Sequence, residues 1–339
     1  MSRIFILGAG VVGSTTGRAL AQAGHQVSFV EADPEPAAAL LGEGLDVRSG
    51  IDLDAEPESF VFLCLPTSID AEGTGYQLSA VEAGAEQVGK ALATAQARHI
   101  LVVRSTVPPG TTESLIRPLV ELYSGKREGT GFALAVSPPF LRSGEGMTVI
   151  GARNRSVTRR LCDLLGPLGG RVRVFDDPAT AELIHCADSL FNATKISFWN
   201  EIWQVCALLN LDPDQVAGTV AESAAGSIDP LFGIHGGAPY AGDRLPRETR
   251  GFLGFAAELG LPMPLLSAVV GVNTEFEWRL SSELDRVSGF SAIPRSRSEL
   301  RTVKPAEAAG PAEVAGPPPP LPVRRRRPLL PRIPRQRLR

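Results

Sequence analysis

The sequence predicts an α/β protein in which a doubly wound parallel sheet is followed by an all-helical second domain. Over roughly the first half of the chain, short apolar runs alternate with helical patterns, which is typical of a doubly wound sheet. From Pro178 onward, apolar residues recur at helical spacing. We expect strands at residues 3–7, 26–30, 60–65, 99–103 and 132–136, and a helix over about 78–95.

A glycine-rich turn, GAGVVG at residues 8–13, follows the first predicted strand at once. Gly8 permits a tight turn, Gly10 lets the backbone approach a pyrophosphate, and Gly13 lets the next helix pack closely on the strand. The helix N-terminus adds free N–H groups and a positive dipole end. The pattern predicts a dinucleotide-binding (Rossmann) domain in which Val11 and Val12 also lie at the cofactor.

The second predicted strand is followed by Glu31. A carboxylate at this place in a Rossmann domain binds the hydroxyls of the adenosine ribose. Ala32 and Asp33 come next, so no arginine is present there to accept a 2′-phosphate. We therefore expect NAD, and not NADP, as the cofactor.

Two later strands supply the rest of the predicted cofactor site. Leu65, Pro66 and Thr67 stand at the end of one, and Ser105 and Thr106 follow the other. Ligands of doubly wound sheets bind at the carboxyl ends of the strands. We expect these five residues to contact the cofactor.

Composition limits the class of protein. The chain has 339 residues, of which 43 % are hydrophobic, and this is enough for two domains with cores. No apolar run reaches the roughly 20 residues of a membrane span, and the apolar start is a strand, not a signal peptide. The four cysteines form no C-x-x-C pair, and the four histidines lack metal-ligand spacing. We expect reduced thiols, no metal and a cytoplasmic location.

The end of the chain is rich in proline and arginine, including the run Arg324–Arg327. Such a composition cannot form the interior of a helix or sheet, so residues 296–339 are expected to be a disordered tail. An arginine run can bind nucleic acid or an anionic membrane. No recognition fold is predicted beside it, so neither partner is expected. The predicted domains are therefore 1–179 (NAD-binding), 180–295 (helical) and this tail.

Six stretches resemble, in the same order, motifs of the UDP-glucose/GDP-mannose 6-dehydrogenase family. They are GAGVVG (8–13), LPT (65–67), RSTVPPGTT (104–112), PPFLRSGEG (138–146), AELIHCADSLFNATKISFWNE (181–201) and AGDRLPRET (241–249). The resemblance implies that NAD oxidises a sugar CH2OH twice, to an aldehyde and then to an acid. The second oxidation proceeds through a cysteine thiohemiacetal.

The residues to which the resemblance assigns catalysis are replaced in this chain. Arg244 stands at the position of the cysteine, and Glu248 at that of the neighbouring aspartate. His185 stands for the catalytic lysine and Ser189 for its asparagine partner, while a glutamate of the family is Pro139 here. Thr106, in the family's water-holding threonine segment, is retained.

These replacements change the expected chemistry. Arginine does not lose its proton in proteins, so Arg244 cannot be the nucleophile, and acid formation by the family route is excluded. His185 suits general acid–base catalysis, because the ordinary pKa of histidine lies near neutrality. Ser189 follows His185 by four residues, so the two are expected on the same helix face. Cys186, the next residue after His185, is expected to point away from that face as a core thiol. The alternative interpretation of His185 is a structural histidine bonded to Glu182.

The helical domain is expected to form a homodimer. Its first long helix, for which Thr180 is a candidate cap, is apolar on more than one face. The resemblance also implies a dimer contact in this region. The family carries a further C-terminal domain that completes a nucleotide-sugar site, and no room for it follows the helical domain. We therefore expect a smaller substrate, such as a sugar, a nucleoside or a sugar monophosphate.

Three functions fit these observations. The first is a redox-neutral enzyme that oxidises an alcohol transiently, eliminates water or inverts a centre, and returns the hydride. The second is a two-electron alcohol dehydrogenase, and the third is a non-catalytic NAD-binding protein. The first is favoured, because the replaced catalytic positions hold histidine, serine, arginine and glutamate, which can all do chemistry. We expect Arg244 to orient substrate or stabilise an oxyanion, and Glu248 is the alternative base.

Overall fold

The computed structural model describes residues 1–54, 56–69, 75–140, 146–168, 170–234, 236–242 and 244–288. The chain divides into two compact units. One comprises Met1–Phe232 with Glu248–Ala268, and the other comprises Gly233–Arg247 with the residues from Val269 onward. The predicted tail, and the predicted boundary at 295, lie outside the described residues.

Ten strands are present in the described residues. They are β1 (Arg3–Leu7), β2 (Gln26–Val30), β3 (Asp46–Arg48), β4 (Ser59–Leu63), β5 (Ser68–Ile69), β6 (Tyr76–Gln77), β7 (Ile100–Val103), β8 (Ala133–Val136), β9 (Met147–Gly151) and β10 (Arg171–Phe175). Eight of them form one sheet in the order β10-β9-β8-β7-β4-β1-β2-β3, and β5 pairs with β6 alone. Within this sheet, six neighbouring strands are parallel to one another, in the order β8-β7-β4-β1-β2-β3. This confirms the predicted doubly wound sheet.

The sheet departs from the prediction at both edges, because β3, which forms one edge, was not predicted, and two further strands extend the other. β9 pairs antiparallel with β8 through Val136 and Gly151, and β10 runs parallel to β9. Neither strand was predicted. β10 is mostly exposed and interleaves arginine with valine, so it lacks the continuous apolar run of a buried strand.

The described helices are α1 (Val11–Gln22), α2 (Pro34–Gly42), α3 (Ser79–Thr94), α4 (Arg117–Ser124), α5 (Arg155–Leu165), α6 (Pro178–Leu209), α7 (Pro213–Ser223), α8 (Ala225–Ile228), α9 (Arg244–Glu258) and α10 (Pro264–Ser288). A π-helical turn at Thr112–Ile116 leads into α4, and a 3₁₀ turn at Gly166–Leu168 follows α5. From residue 178, every regular element in the described chain is a helix, which confirms the predicted helical region.

Two apolar cores cover the two faces of the sheet. On one face, side chains of α3 and α4 pack against Phe5, Val61 and Val103. On the other, side chains of α1, α2 and α5 pack against Ile4 and Phe62. Helices therefore lie on both faces, and the carboxyl ends of β1, β4 and β7 are left for a ligand.

The long helix α6 begins earlier than the sequence indicated. Its N-cap is Asp177, whose side chain accepts a hydrogen bond from the Ala179 N–H at 3.2 Å. Thr180 is not the cap, because its hydroxyl donates to the Asp177 carboxylate from inside the first turn. An aspartate followed by proline is a favourable helix start. Ala181 of α6 belongs to the same core as α3 and α4, so α6 packs against the Rossmann fold.

The helices of the first unit after residue 200 have a small core of their own. In the first unit, Val205, Ala256 and Met263 pack together, and the buried Glu201 carboxylate accepts hydrogen bonds from the Leu265 and Leu266 N–H groups at the start of α10. In the described residues, no helix is long and apolar enough to span a membrane.

Candidate cofactor and active site

The glycine turn between β1 and α1 has the geometry that its sequence indicated. Gly8 has φ +91°, a conformation that favours glycine, and a Cβ atom on it would lie 2.7 Å from the Cys64 carbonyl oxygen. A Cβ on Gly13 would lie 1.9 Å from the Gly8 carbonyl oxygen. A Cβ on Gly10 would meet nothing within 4 Å. Gly8 and Gly13 thus form a tight turn, and Gly10 leaves open space at the start of α1.

Glu31 reaches back to this turn. Its carboxylate accepts hydrogen bonds from the Ala9 N–H at 2.6 Å and from the Asp33 N–H at 2.9 Å. These bonds fix the carboxylate at the carboxyl end of β2, beside the glycine turn. An anchored acceptor at this place is what the ribose hydroxyls of a dinucleotide require.

One cavity of about 700 Å³ joins these features along the carboxyl edge of the sheet. Its lining contains all but one of the residues predicted to contact the cofactor: Gly8, Gly10, Val11, Val12, Glu31, Leu65, Pro66, Thr67, Ser105 and Thr106. The exception is Gly13, which is buried behind Gly8. The cavity therefore brings together the three predicted parts of the cofactor site.

Several lining residues were not predicted from the sequence, namely Cys64, Asp33, Pro36, Ser49 and Gln87. Asp33 and Pro36 follow Glu31 closely in the sequence. Their nearness to the carboxylate that is expected to bind the ribose could have indicated that they line the cavity. Gln87 lies on α3 and Ser49 lies after the short strand β3. No sequence motif marks them, because only the packing of the sheet brings them to the cavity.

Thr106 connects the cavity to the predicted acid–base residue. Its hydroxyl lies 3.0 Å from Nε2 of His185 on α6, and its carbonyl accepts a hydrogen bond from the Thr67 hydroxyl at 2.7 Å. Phe140 contacts the imidazole edge-on, with ring centroids 5.5 Å apart. Thr106 lines the cavity and His185 does not, so the hydroxyl of Thr106 links the imidazole to a residue of the cavity wall.

The surroundings of His185 favour its neutral form. Burial lowers its pKa, the charge of Arg104 lowers it further, and the charge of Asp188 opposes both. The Nδ1 atom is shielded from solvent and has no hydrogen-bond partner in the described part of the chain. A neutral imidazole can accept a proton, which is the requirement for a general base.

Glu182 does not bond to His185. The alternative interpretation, in which His185 is a structural histidine bonded to Glu182, is therefore wrong about this hydrogen bond. The buried Glu182 carboxylate accepts hydrogen bonds from the N–H of Gly110 at 2.5 Å, and from the N–H and hydroxyl of Thr112 at 2.9 and 2.5 Å. Burial raises the pKa of Glu182, and these hydrogen bonds oppose the rise. Glu182 therefore ties the loop after Thr106 to α6, one turn before His185.

Neither cysteine near the site supplies a thiolate. Burial raises the pKa of Cys64, which lines the cavity, to about 12, although the charge of Arg104 opposes this. Burial also raises the pKa of Cys186, whose Sγ donates to the Val107 carbonyl at 3.7 Å. All four cysteines are free. A thiol with a raised pKa is a poor nucleophile at neutral pH.

The other three predicted catalytic residues are exposed. Ser189 lies on α6 one turn after His185. Arg244 begins α9 and belongs to the second unit, and Glu248, one turn later on the same helix, belongs to the first. Their predicted roles at the substrate remain predictions. No group of three or more potential metal ligands is found in the described residues.

The fold and the cavity define an NAD-binding protein of the doubly wound class. Family models agree: that of the NAD-binding domain of the UDP-glucose/GDP-mannose dehydrogenase family matches residues 37–159, and that of its central domain matches residues 179–275. A model of ketopantoate reductase PanE/ApbA matches residues 4–61. The chain belongs to the UDP-glucose/GDP-mannose dehydrogenase family, and its cofactor is NAD.

Individual relatives agree with this assignment. UDP-glucose 6-dehydrogenase AglM from Haloferax volcanii is 30 % identical over 299 residues, which cover 79 % of this chain and 68 % of that protein. GDP-mannose 6-dehydrogenase from Pseudomonas syringae pv. syringae is 28 % identical, covering 86 % of this chain and 71 % of that protein.

Solved structures show the same fold. A ternary complex of GDP-mannose dehydrogenase from Pseudomonas aeruginosa superposes with a TM-score of 0.74 at 24 % identity, covering 86 % of this chain and 72 % of that one. A UDP-glucose dehydrogenase from Pyrobaculum islandicum gives a TM-score of 0.59 at 28 % identity, covering 85 % and 72 %.

Proposed function

We propose that this protein uses NAD in a redox-neutral reaction on a hydroxyl of a sugar, a nucleoside or a sugar monophosphate. The reaction is a transient oxidation followed by dehydration or epimerisation. The single observation that carries the acid–base step of this reaction is the 3.0 Å contact between Thr106 and His185, which links an imidazole with a lowered pKa to a residue of the cofactor cavity. The presence of arginine at position 244 supports it, because the thiohemiacetal route to an acid needs a cysteine there.

In this reaction the cofactor and the residues of the site would have the following roles. NAD, held by the glycine turn and Glu31 in the cofactor cavity, would supply the hydride acceptor and later the hydride donor. The Thr106 hydroxyl accepts the proton of the substrate hydroxyl while passing its own to Nε2 of His185, so the imidazole becomes charged. Burial makes that charged form unfavourable, so His185 readily returns the proton in a later step. The role expected for Arg244 from the sequence, to orient the substrate or stabilise a developing oxyanion, stays a prediction.

A two-electron alcohol dehydrogenase is the second candidate. The relatives named above are called dehydrogenases, and the Thr106–His185 pair could equally take the proton of an alcohol that is oxidised only once. The two candidates differ in whether the cofactor is regenerated within each turnover.

The fate of the cofactor tests the proposal. A redox-neutral enzyme regenerates NAD and has no need to release it, so we expect the purified protein to retain nicotinamide through desalting. Denaturation followed by mass spectrometry of the released small molecules measures this. Recovery of about one NAD or NADH per chain would support the proposal. An empty protein that turns over only with added NAD would favour the dehydrogenase, and one that binds NAD but turns over no alcohol would favour a non-catalytic protein.

Glu31 is expected to make the protein prefer NAD over NADP. Its anchored carboxylate would repel the 2′-phosphate and bind the free ribose hydroxyls. Isothermal titration calorimetry on Glu31→Ala should show about tenfold or greater loss of NAD affinity and a smaller change for NADP, since about 1.4 kcal/mol corresponds to tenfold. Glu35→Ala, which removes an exposed carboxylate on α2, is the matched control. Tighter binding of NADP than NAD by the unmodified protein would contradict this role.

We also propose that α6 forms a homodimer contact. Leu190, Phe191, Ile196 and Trp203 of this helix are each more than half exposed. Apolar side chains grouped on one helix in this way are typical of a covered interface. Light scattering should give twice the chain mass of 35.9 kDa. Phe191→Glu should shift the mass toward the monomer, whereas Leu122→Glu, at an exposed leucine of α4, should not. A monomeric unmodified protein at micromolar concentration would rule the dimer out.

A further inference from the structure

A second cavity, of about 460 Å³, lies at the amino ends of β7 and β8. It is formed by the loop before β7 and the loop before β8, and its lining consists of Gln96, Ala97, Arg98, Gly125, Lys126, Arg127, Thr130 and Gly131. The cofactor cavity opens at the carboxyl ends of the strands, so this basic cavity belongs to the opposite edge of the sheet. Its volume is within the range of about 300–1,000 Å³ that is common for small-molecule sites.

The lining of the basic cavity is positively charged. It contains Arg98, Lys126 and Arg127 and, among the described residues, no acidic one. The carboxylate of Glu121, on α4, pairs with Arg127 at 2.7 Å. Lys126 donates to the Ala95 carbonyl, which is a neutral acceptor. Two of the three positive charges are therefore not balanced by an ion pair with a described residue.

Arg98 is the unusual member of this lining. Its Nε and Nη2 atoms are shielded from solvent and have no hydrogen-bond partner in the described part of the chain. A buried donor without a partner destabilises the folded protein. A turn of the guanidinium toward the cavity would let both nitrogens donate to one oxyanion in parallel, and such paired bonds are the preferred arginine–phosphate geometry.

The imidazole of His99 does not offset this charge. His99, the next residue, bonds through Nδ1 to the Ser59 hydroxyl at 2.6 Å. Burial lowers the pKa of His99, and the charge of Lys126 lowers it further against the opposing charges of Glu56 and Glu58. The imidazole is thus held neutral beside a positive cavity and offers no negative counterpart to Arg98.

We propose that this basic cavity binds a phosphate-bearing anion through Arg98 and Lys126. A phosphate group has enough acceptor oxygens for the guanidinium fork and the ammonium group together. The remaining lining, with the Gln96 amide and the Thr130 hydroxyl, leaves room for a small organic group on the phosphate. The site is separate from the cofactor cavity and independent of the reaction proposed above.

Thermal unfolding of the full-length protein, saturated with NAD to fill the cofactor site, tests this proposal. Sodium phosphate is compared with sodium chloride at equal ionic strength. At a phosphate concentration ten times its dissociation constant, measured by calorimetry, the unfolding midpoint should rise by about 2 °C over chloride. Arg98→Gln should lose this rise, while Arg159→Gln, at an exposed arginine of α5, should keep it. In phosphate-free buffer, Arg98→Gln should unfold at the same temperature or higher, because the unsatisfied donors are gone.

A second variant guards against a folding failure of the first. Arg98→Lys keeps the charge but loses the fork, and it should weaken phosphate binding about tenfold or more. Calorimetry with inorganic phosphate and with ribose 5-phosphate then distinguishes the two sources, and either one binding in an Arg98-dependent way supports the site. No phosphate-specific rise in the unmodified protein would overturn the proposal, as would an equal rise in the Arg98 variants or an equal loss in Arg159→Gln.

Discussion

His185→Ala is expected to lower kcat by about 10²–10⁴-fold, the usual contribution of a general acid–base group, while NAD affinity stays unchanged. The imidazole contacts the Thr106 hydroxyl at 3.0 Å and does not line the cavity, so its removal takes away the proton acceptor and leaves the cofactor contacts in place. Rates would be measured on a substrate found by screening sugars, nucleosides and sugar phosphates, and NAD binding by calorimetry.

Cys186→Ala is the matched control for this variant. Cys186 is the next residue on α6, its pKa is raised by burial, and the proposed chemistry does not use its thiol, so near-full activity is expected. Near-full activity of His185→Ala would instead contradict the assignment, and Glu248 would become the leading candidate base.

The pH dependence of the same reaction follows from the direction of the pKa shift. The pKa of His185 lies below the ordinary value of 6.5, because burial disfavours the charged imidazole. A base must be unprotonated, so kcat/KM should rise with pH at values below 6.5 and level off above it. His185→Ala should lose this rise. A rise centred well above pH 7 would point to a different base.

Alanine at Gly10 and at Gly13 is expected to separate cofactor binding from folding. A Cβ on Gly10 meets nothing within 4 Å, and the residue has φ −60°, so Gly10→Ala should fold normally. That methyl would occupy the space through which the pyrophosphate approaches the start of α1, so NAD affinity should fall by about ten- to a hundredfold, or about 1.4–2.8 kcal/mol.

Gly13→Ala is expected to fail differently. Its Cβ would lie 1.9 Å from the Gly8 carbonyl oxygen, so the turn itself must move. Overpacking of this kind typically costs about 1–3 kcal/mol of stability. Urea unfolding together with NAD calorimetry distinguishes the two variants. Equal stability of both, or a stable Gly13→Ala that binds NAD normally, would show that the turn does not have the role assigned to it.

Much of the fold was predictable because its signals are local. The buried parallel strands are continuous apolar runs, and the glycine turn must follow the first of them for steric reasons. The edge strands β3, β9 and β10 were missed, since β3 has only three residues, and β10 is mostly exposed and carries arginines among its valines. The start of α6 was misplaced at Thr180, although Asp177 followed by proline was a readable cap.

The candidate site was predictable only in part. Glu31, Thr67 and Thr106 could be placed at the cofactor because strand ends meet along one edge of a parallel sheet. The contact of Glu182 was not predictable. Spacing suggested His185 as its partner, but its carboxylate turns to the loop at Gly110, from a distant part of the sequence.

The sequence by itself determined that this protein is a doubly wound NAD-binding protein with a helical continuation and without a cysteine at position 244. Those properties depend on residue identity and on short-range spacing. The tertiary structure decided which groups meet across long sequence separations. It brings the Thr106 hydroxyl into contact with His185, and it connects the loop after Thr106 to α6 through the hydrogen bonds of Glu182. It also leaves two donors of Arg98 without a described partner beside the basic cavity. Burial, which shifts the pKa of His185 and Cys64, arises only when the sheet and its helices pack together.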